Sequence, residues 1–338
     1  MRICIVGTGA MGGLLGTKLA VSGQDVTFID KGEQLAALRD KGIKLLMEDG
    51  REFSIKKVRA LADFVEAGPQ DVVILALKAH QIEDVAEKLP ALFLPETCVV
   101  TVQNGIPWWY FQNHGGEYEG RRLHSLDPTG IIEGNIETRR IVGCVPFPGA
   151  EVVSPGVIRH VEGNRFPVGE LDGSESERCR KLVQVLTDSD FKAFILEDIR
   201  SEIWLKLWGN LSLNPISALT HASIGEICHL PETRNLLTKM MEEAKEIAQK
   251  LGIHFRHTIE KRISGAERAG DHKTSMLQDV RQGRILEIEA LLGAVIELAR
   301  LTEKPAPSIE AVYACTKLLN KVYMNAESRV DLISVLKN

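Results

Sequence analysis

Short apolar runs and helical stretches alternate along the N-terminal part of the chain: "ICIVG", "GGLLGTKLAVSG", "DVTFID" and "EQLAALRDKG" read as strand, helix, strand, helix. "DVVILALK" and "CVVTVQNG" are rich in Val and Leu throughout and end in polar residues, the pattern of strands covered on both faces in a parallel sheet. Between residues 142 and 172 the apolar pieces shorten and are separated by "PG", "GN" and "DG", which predicts an antiparallel meander completing that sheet. A helix at "SESERCRKLVQVL" and a last strand at "FKAFIL" follow. From about Ser201 the apolar period is helical in "SEIWLKLWGNLSLNP", "TRNLLTKMMEEAKEIAQKLG", "LQDVRQGRILEIEALLGAVIELAR" and "SIEAVYACTKLLNKVYM". The expected fold class is therefore α/β followed by an all-α C-terminal domain, divided as residues 1–197 and 198–338.

Composition narrows the chemistry. A chain of 338 residues is long for one core, which supports two domains. Its net charge of -5, with acids and bases mixed along the chain, argues against a nucleic-acid partner. The six cysteines are dispersed, form no C-x-x-C pair and mostly sit in apolar surroundings, so they read as reduced core residues. "MRICIVGTGAMGG" runs straight into the first strand without a leader, and no apolar run reaches membrane-spanning length; the expectation is a soluble cytoplasmic protein with no membrane partner. His254 and His257 are three apart but lack an acidic or cysteine partner, so no metal is expected. The aromatic, glycine-rich stretch 105–125 reads either as a loop over a site or as packing for an interface.

Gly7, Gly9 and Gly12 form G-x-G-x-x-G directly after the first strand and at the start of a helix, with Ala10 and Met11 between the last two. On the first turn of a βαβ unit this pattern permits a tight turn and a close approach of backbone to a pyrophosphate, so it predicts a Rossmann-type dinucleotide site. Asp30 ends the second strand, where an acid would accept hydrogen bonds from the ribose of NAD and repel the extra phosphate of NADP. Lys31 beside it would attract that phosphate. FAD would need further nucleotide signals that the sequence lacks, which leaves a nicotinamide cofactor.

Ligands of open α/β sheets lie beyond the carboxyl ends of the strands, and Lys78 and Asn104 follow two of these strands. In the helix from Ser201 to Pro215, Lys206, Asn210 and Asn214 recur at steps of four, a polar row on an otherwise apolar helix. Glu202 could pair with Lys206 at i,i+4, and Asn214 could cap the next helix. Alternatively, a lysine within an apolar wall has its proton affinity lowered toward the range useful in proton transfer. Ser275, Arg284 and Glu287 lie on or near one long helix, where the last two could pair at i,i+3.

Taken together, "GTGAMGG", "LKAHQ", "QNG", "EIWLKLWGNLSLNPISAL" and "SMLQDVRQGRILEIE" resemble the ketopantoate reductase (2-dehydropantoate 2-reductase) family over nearly the whole chain. The resemblance implies that a Rossmann domain binds NADPH and a helical domain closes over a small 2-oxo acid. It implies that Lys206 donates a proton to the carbonyl oxygen and that Glu287 holds the substrate hydroxyl. Ser275 matches a carboxylate-binding serine; Asn104, Asn210 and Asn214 match polar residues of the pocket, Asn104 also facing the cofactor. Lys78 and Gln81 match positions near the cofactor, and Lys31 falls where the family often has an arginine for the 2′-phosphate. That last match tips the balance toward NADP(H), with NAD(H) still open. A homodimer is compatible with the resemblance. Ile224 and His272 replace two asparagines that the family uses to grip ketopantoate, and "LEIEALLG" replaces its "TEID..NG". These departures leave the exact 2-oxo acid open and keep an NAD-dependent D-2-hydroxyacid dehydrogenase as an alternative. A non-catalytic dinucleotide sensor, the alternative of another class, would not need Lys206 and Glu287 together.

Overall fold

The computed structural model describes residues 1–324. The expected second domain extends to residue 338, so its residues 325–338 lie outside the described residues. The chain divides into two compact units, Met1–Ile199 and a unit that begins at Arg200.

In the first unit, strands β1 (Arg2–Val6) and β2 (Asp25–Ile29) flank helix α1 (Ala10–Val21). Helix α2 (Gly32–Lys41) is followed by β3 (Ile43–Leu46), β4 (Glu52–Ile55) and β5 (Arg59–Leu61). After the short helix α3 (Phe64–Ala67) come β6 (Gln70–Leu75), β7 (Phe93–Thr101), helix α4 (Ile131–Asn135) and β8 (Ile141–Cys144). The hairpin β9 (Gly149–Ser154) and β10 (Val157–Glu162), then β11 (Val168–Gly169) and helix α5 (Glu177–Asp188), complete it.

Seven strands form the main sheet in the order β11-β8-β7-β6-β1-β2-β5. Every neighbouring pair is parallel except β8 with β11, and the register sets Ile5 between Phe28 and Ile74. β1 and β6 are apolar on both faces because helices or the second sheet cover both faces. Leu14, Leu15 and Leu19 on α1 join Ile3, Ile5 and Phe28 in one buried cluster. Each such leucine contributes about 1.5–3 kcal/mol on burial.

Two expectations are corrected here, and one hairpin is added. The pieces between residues 142 and 172 do not all complete the main sheet: β8 and β11 join it, whereas β9 and β10 enter a second, four-stranded sheet in the order β4-β3-β10-β9. The cause lies in the turn at Gly156, whose φ of 78 requires glycine and whose carbonyl accepts from Lys44 N at 2.8 Å, locking β10 beside β3. The stretch expected as a last strand at 191–196 is instead an irregular segment held by two isolated bridges, Arg165 to Lys192 and Val168 to Ile195. Finally, β3 and β4 form a hairpin that the sequence reading passed over, although Asp49-Gly50 between alternating runs carried its signal.

The aromatic stretch 105–125 forms neither strand nor helix, and its rings are interior. Trp109 donates its indole N–H to Thr101 Oγ1 at 3.0 Å, and Tyr110 meets Phe111 edge to face at 5.0 Å. Trp108, Trp109, Tyr110 and Phe111 are all buried, so these rings pack in the interior rather than standing on the surface.

The second unit is helical: α6 (Ile199–Thr220, its first residue closing the first unit), α7 (Ile224–His229), α8 (Pro231–Lys250), α9 (Ile259–Glu267), α10 (Ser275–Arg281), α11 (Ala294–Leu301) and α12 (Pro307–Met324). α6 was expected to end at Pro215 but runs through it. A proline removes one helical hydrogen bond, and this site tolerates the loss because Leu211, Leu213, Ile216 and Ala218 are all buried around it. The long helix expected over 277–300 is broken. α10 closes on Gly283 at φ 61, with Gly283 N bonded to Val280 O at 3.0 Å and Arg284 N to Asp279 O at 2.9 Å. Residues 284–287 then have no regular structure, and the chain re-enters a helix through a π-helical turn at Glu289–Gly293. Among the described residues no helix is long and apolar enough to cross a membrane.

Candidate active site

In the first unit the glycine-rich turn is built by close packing. Gly7 has φ 91, and a Cβ there would stand 2.7 Å from Leu77 Cδ2. At Gly12 a Cβ would stand 2.9 Å from Ala76 Cβ, so α1 could not approach the sheet with any larger residue. Gly9 differs: a Cβ there would meet nothing within 4 Å. Its glycine is not required by the protein's own packing, and it leaves an open cradle at the N-terminus of α1, where no side chain caps the helix. Ala10 and Met11 follow as the first residues of that helix, and their backbone N–H groups belong to the unpaired end that favours an anion. These features fit the pyrophosphate of a dinucleotide.

Asp30 braces this turn. Its carboxylate accepts from Thr8 N at 2.6 Å and from Lys31 N at 2.7 Å. Gln34, which the sequence reading missed, donates to Thr8 O at 2.7 Å and accepts from Gly156 N at 3.0 Å, tying the glycine-rich turn to the second sheet. Nothing in its local sequence marked it. Lys31 is exposed at the N-cap of α2. Lys78 and Gln81 are half-buried beyond the end of β6, where Lys78 N donates to Gln81 Oε1 at 3.0 Å. Asn104 is half-buried beyond β7, and Gly105 after it has φ 83.

In the second unit α6 carries the polar row. Lys206 and Asn210 are half-buried, while Asn214 is buried at 6% exposure. Asn214 does not cap a helix; its amide donates to Ser275 Oγ at 3.4 Å, joining α6 to the first turn of α10. Glu202 is only 1% exposed, and both its oxygens accept from the Arg256 guanidinium. Arg284 pairs with Asp279 at 3.0 Å rather than with Glu287. Glu287 is half-buried on the irregular stretch after α10, not on a helix, since Gly283 ends the helix before it.

The two family departures meet. Ile224 N donates to His272 O at 3.0 Å and Gly225 N to Gly270 O at 2.8 Å, so both replaced positions share one stretch of wall. A Cβ at Gly225 would stand 2.9 Å from Gly270 O, which is why the start of α7 can lie so close to that strand of backbone. The structure thus brings together Lys206, Asn210, Asn214 and Ser275 in the second unit, and the glycine-rich turn with Asp30 and Lys31 in the first.

Residues 3–173 match the family described as Ketopantoate reductase PanE/ApbA, and residues 198–320 match its C-terminal part, Ketopantoate reductase PanE/ApbA C terminal. The chain belongs to the ketopantoate reductase family. A 2-dehydropantoate 2-reductase of Mesorhizobium japonicum is 48% identical over 94% of this chain and 98% of its own. A crystal structure of a candidate ketopantoate reductase from Ralstonia solanacearum superposes with a TM-score of 0.91 at 38% identity, covering 95% of this chain and 98% of that one. A D-mandelate dehydrogenase solved with NADH and anilino(oxo)acetate has a TM-score of 0.82 at 21% identity over 96% of this chain and 99% of its own; that likeness is one of fold alone. Members of the ketopantoate reductase family are nicotinamide-dinucleotide oxidoreductases, and the turn at Gly7, Gly9 and Gly12 is where this chain has room for that cofactor.

The buried thiols take no part in such chemistry. Burial pushes Cys4 and Cys98 up to about 12 and Cys179 up to about 11, so none becomes a thiolate near neutrality. Among the described residues no group of three or more His, Cys, Asp or Glu side chains could hold a metal ion.

Proposed function

We propose that this chain is an NADPH-dependent reductase of a 2-oxo acid, with 2-dehydropantoate (ketopantoate) the first substrate, acting in the cytoplasm. The observation that carries the proposal is the polar row on the apolar helix α6: Lys206 and Asn210 half-buried, Asn214 buried, and Asn214 tied to Ser275. The row stands on a helix whose other positions are largely apolar and buried, and members of the family act on a small 2-oxo acid. When bound, the nicotinamide cofactor supplies the hydride. Lys206 is the general acid, since carbonyl reduction develops negative charge on oxygen that an ammonium both stabilises and protonates. Glu287 holds the substrate hydroxyl, and Asn104, Asn210, Asn214, Ser275 and His272 line the substrate.

On the cofactor side the proposal assigns Gly7, Gly9, Ala10, Met11 and Gly12 to the pyrophosphate, with Lys78, Gln81 and Asn104 beside the nicotinamide half. The preference for NADPH rests on Asp30 and Lys31. Both oxygens of Asp30 already accept backbone N–H groups, so its charge is spent on the turn, and exposed Lys31 at the α2 N-terminus suits a 2′-phosphate.

The test is steady-state turnover of ketopantoate with NADPH and with NADH. Ketopantoate reduction, faster with NADPH, is the expected result, and absence of reduction with either cofactor overturns the reading. A second reading, a D-2-hydroxyacid dehydrogenase with another branched substrate, draws on the adjoining Ile224 and His272. It predicts a higher kcat/KM for a different branched 2-oxo acid than for ketopantoate in the same assay.

A further inference from the structure

Two consecutive residues from the stretch between α8 and α9 grip α6 before and after Lys206. Phe255 stacks on Trp208, two residues after Lys206, with ring centroids 3.9 Å apart and planes 16° from parallel. Trp208 is fully buried and donates its indole N–H to Met241 O on α8 at 2.9 Å, so its ring is fixed from two sides. Arg256 reaches Glu202, four residues before Lys206: Nη2 donates to Oε1 at 2.9 Å, and Nη1 donates to Oε2. The side chain of Glu202 is 1% exposed, whereas that of Arg256 is 51% exposed and lines an open cavity of about 640 Å³. Only the acid of this pair is sealed from water.

Stability is a poor reason for such a pair. Sealing a carboxylate from water costs folding free energy that a partner offsets at best, and apolar residues of similar volume commonly serve a core as well or better. Its place on the helix suggests another reason. Positions i and i+4 share a face, with Cβ atoms about 5–6 Å apart, and helical side chains lean toward the N-terminus, which turns Lys206 toward Glu202. A glutamate four residues ahead of a lysine is also the favoured order for a helical ion pair. With its full charge, a sealed glutamate at that position would draw the ammonium onto the helix and away from a carbonyl. A guanidinium bound to both carboxylate oxygens offsets that charge and weakens the pull.

We infer that Arg256 is a positioning residue for the reduction: by neutralising Glu202 it leaves the ammonium of Lys206 to the substrate carbonyl. The inference rests on the reductase reading above, in which Lys206 is the general acid, and adds to it a residue that acts on the reaction through Glu202 and Lys206. The stacked ring of Phe255 next to it anchors the same stretch, so the guanidinium is delivered to Glu202 from a fixed point.

The test is a double-mutant comparison of ketopantoate reduction in the wild type, Arg256→Gln, and Arg256→Gln combined with Glu202→Gln. Arg256→Gln is expected to lower kcat by about 10- to 100-fold, the scale of a displaced catalytic group, with KM for NADPH within a few-fold of wild type. Adding Glu202→Gln removes the charge that captures Lys206, so the double variant should regain most of the lost kcat. A guanidinium that merely held α6 in place predicts the reverse, because the double variant lacks the same clamp. A double variant as slow as Arg256→Gln, or an Arg256→Gln enzyme with wild-type kcat, overturns the inference. Should Arg256→Gln fail to fold, Arg256→Lys replaces it: an ammonium lacks the two-pronged fit, so kcat should fall in part and recover when Glu202→Gln is added. Absence of that recovery overturns the inference equally. If the wild type reduces no 2-oxo acid, or Lys206→Ala keeps its turnover, the reductase reading itself fails. If both of those hold and the double variant does not recover, only the role of Arg256 falls.

Discussion

Lys206 and Gly9 are the two residues whose chemistry is least explained by packing. Lys206 is half-buried on a helix whose neighbours Ile203, Trp204, Leu207 and Trp208 are buried, and Gly9 leaves space that no side chain of the protein uses. Replacing Lys206 with alanine is expected to lower kcat by about 100- to 10,000-fold, the usual contribution of a positioned general acid. Cofactor affinity, followed by fluorescence titration with NADPH, should stay within a few-fold of wild type, because the glycine-rich turn belongs to the other unit. Substantial residual turnover would remove Lys206 from the chemistry. The residues of this site differed in legibility. The glycines and the Lys-Asn-Asn row announce themselves by spacing, whereas the bracing of Thr8 by Asp30 and Gln34 depends on side chains that only the folded chain brings within 2.7 Å.

Elements were legible where one period ran without interruption, as in β1, β6, α8 and α12, and failed where a single residue changed the geometry. Gly283 is one such residue. At φ 61 it ends α10 in a left-handed turn, and it converts what the apolar period joins into a helix, an irregular stretch and a π-helical turn. Pro215 is the opposite case, a residue with a strong stop signal overruled by burial on both sides. Gly283 also sets where Glu287 emerges, four residues on. Gly283→Ala should therefore lower stability by about 1–2 kcal/mol, the cost of a left-handed alanine, read as a shift in urea midpoint. The same variant should lose turnover beyond that stability loss under conditions where it is fully folded. Unchanged kcat would separate the helix stop from the placement of Glu287.

At the scale of the whole molecule, the split at Ile199 and Arg200 gives each unit its own buried core, and the glycine-rich turn lies in the first of them. A ligand that binds only the folded state stabilises it by mass action, so NADPH at a hundred times its dissociation constant should add about 2.7 kcal/mol to the stability of the unit that holds the turn. An equal shift with a nucleotide lacking the nicotinamide and pyrophosphate would argue against binding there. The means of watching this is already in the chain. Its four tryptophans are divided evenly, Trp108 and Trp109 in the first unit and Trp204 and Trp208 in the second, and all four are buried. Trp108 and Trp109 sit in the aromatic stretch 105–125, and Trp208 stacks on Phe255 at 3.9 Å. Changing either pair to phenylalanine leaves an emission spectrum that speaks for one half of the enzyme alone, so the protein carries two optical channels for resolving how its halves melt, refold and respond to a nucleotide.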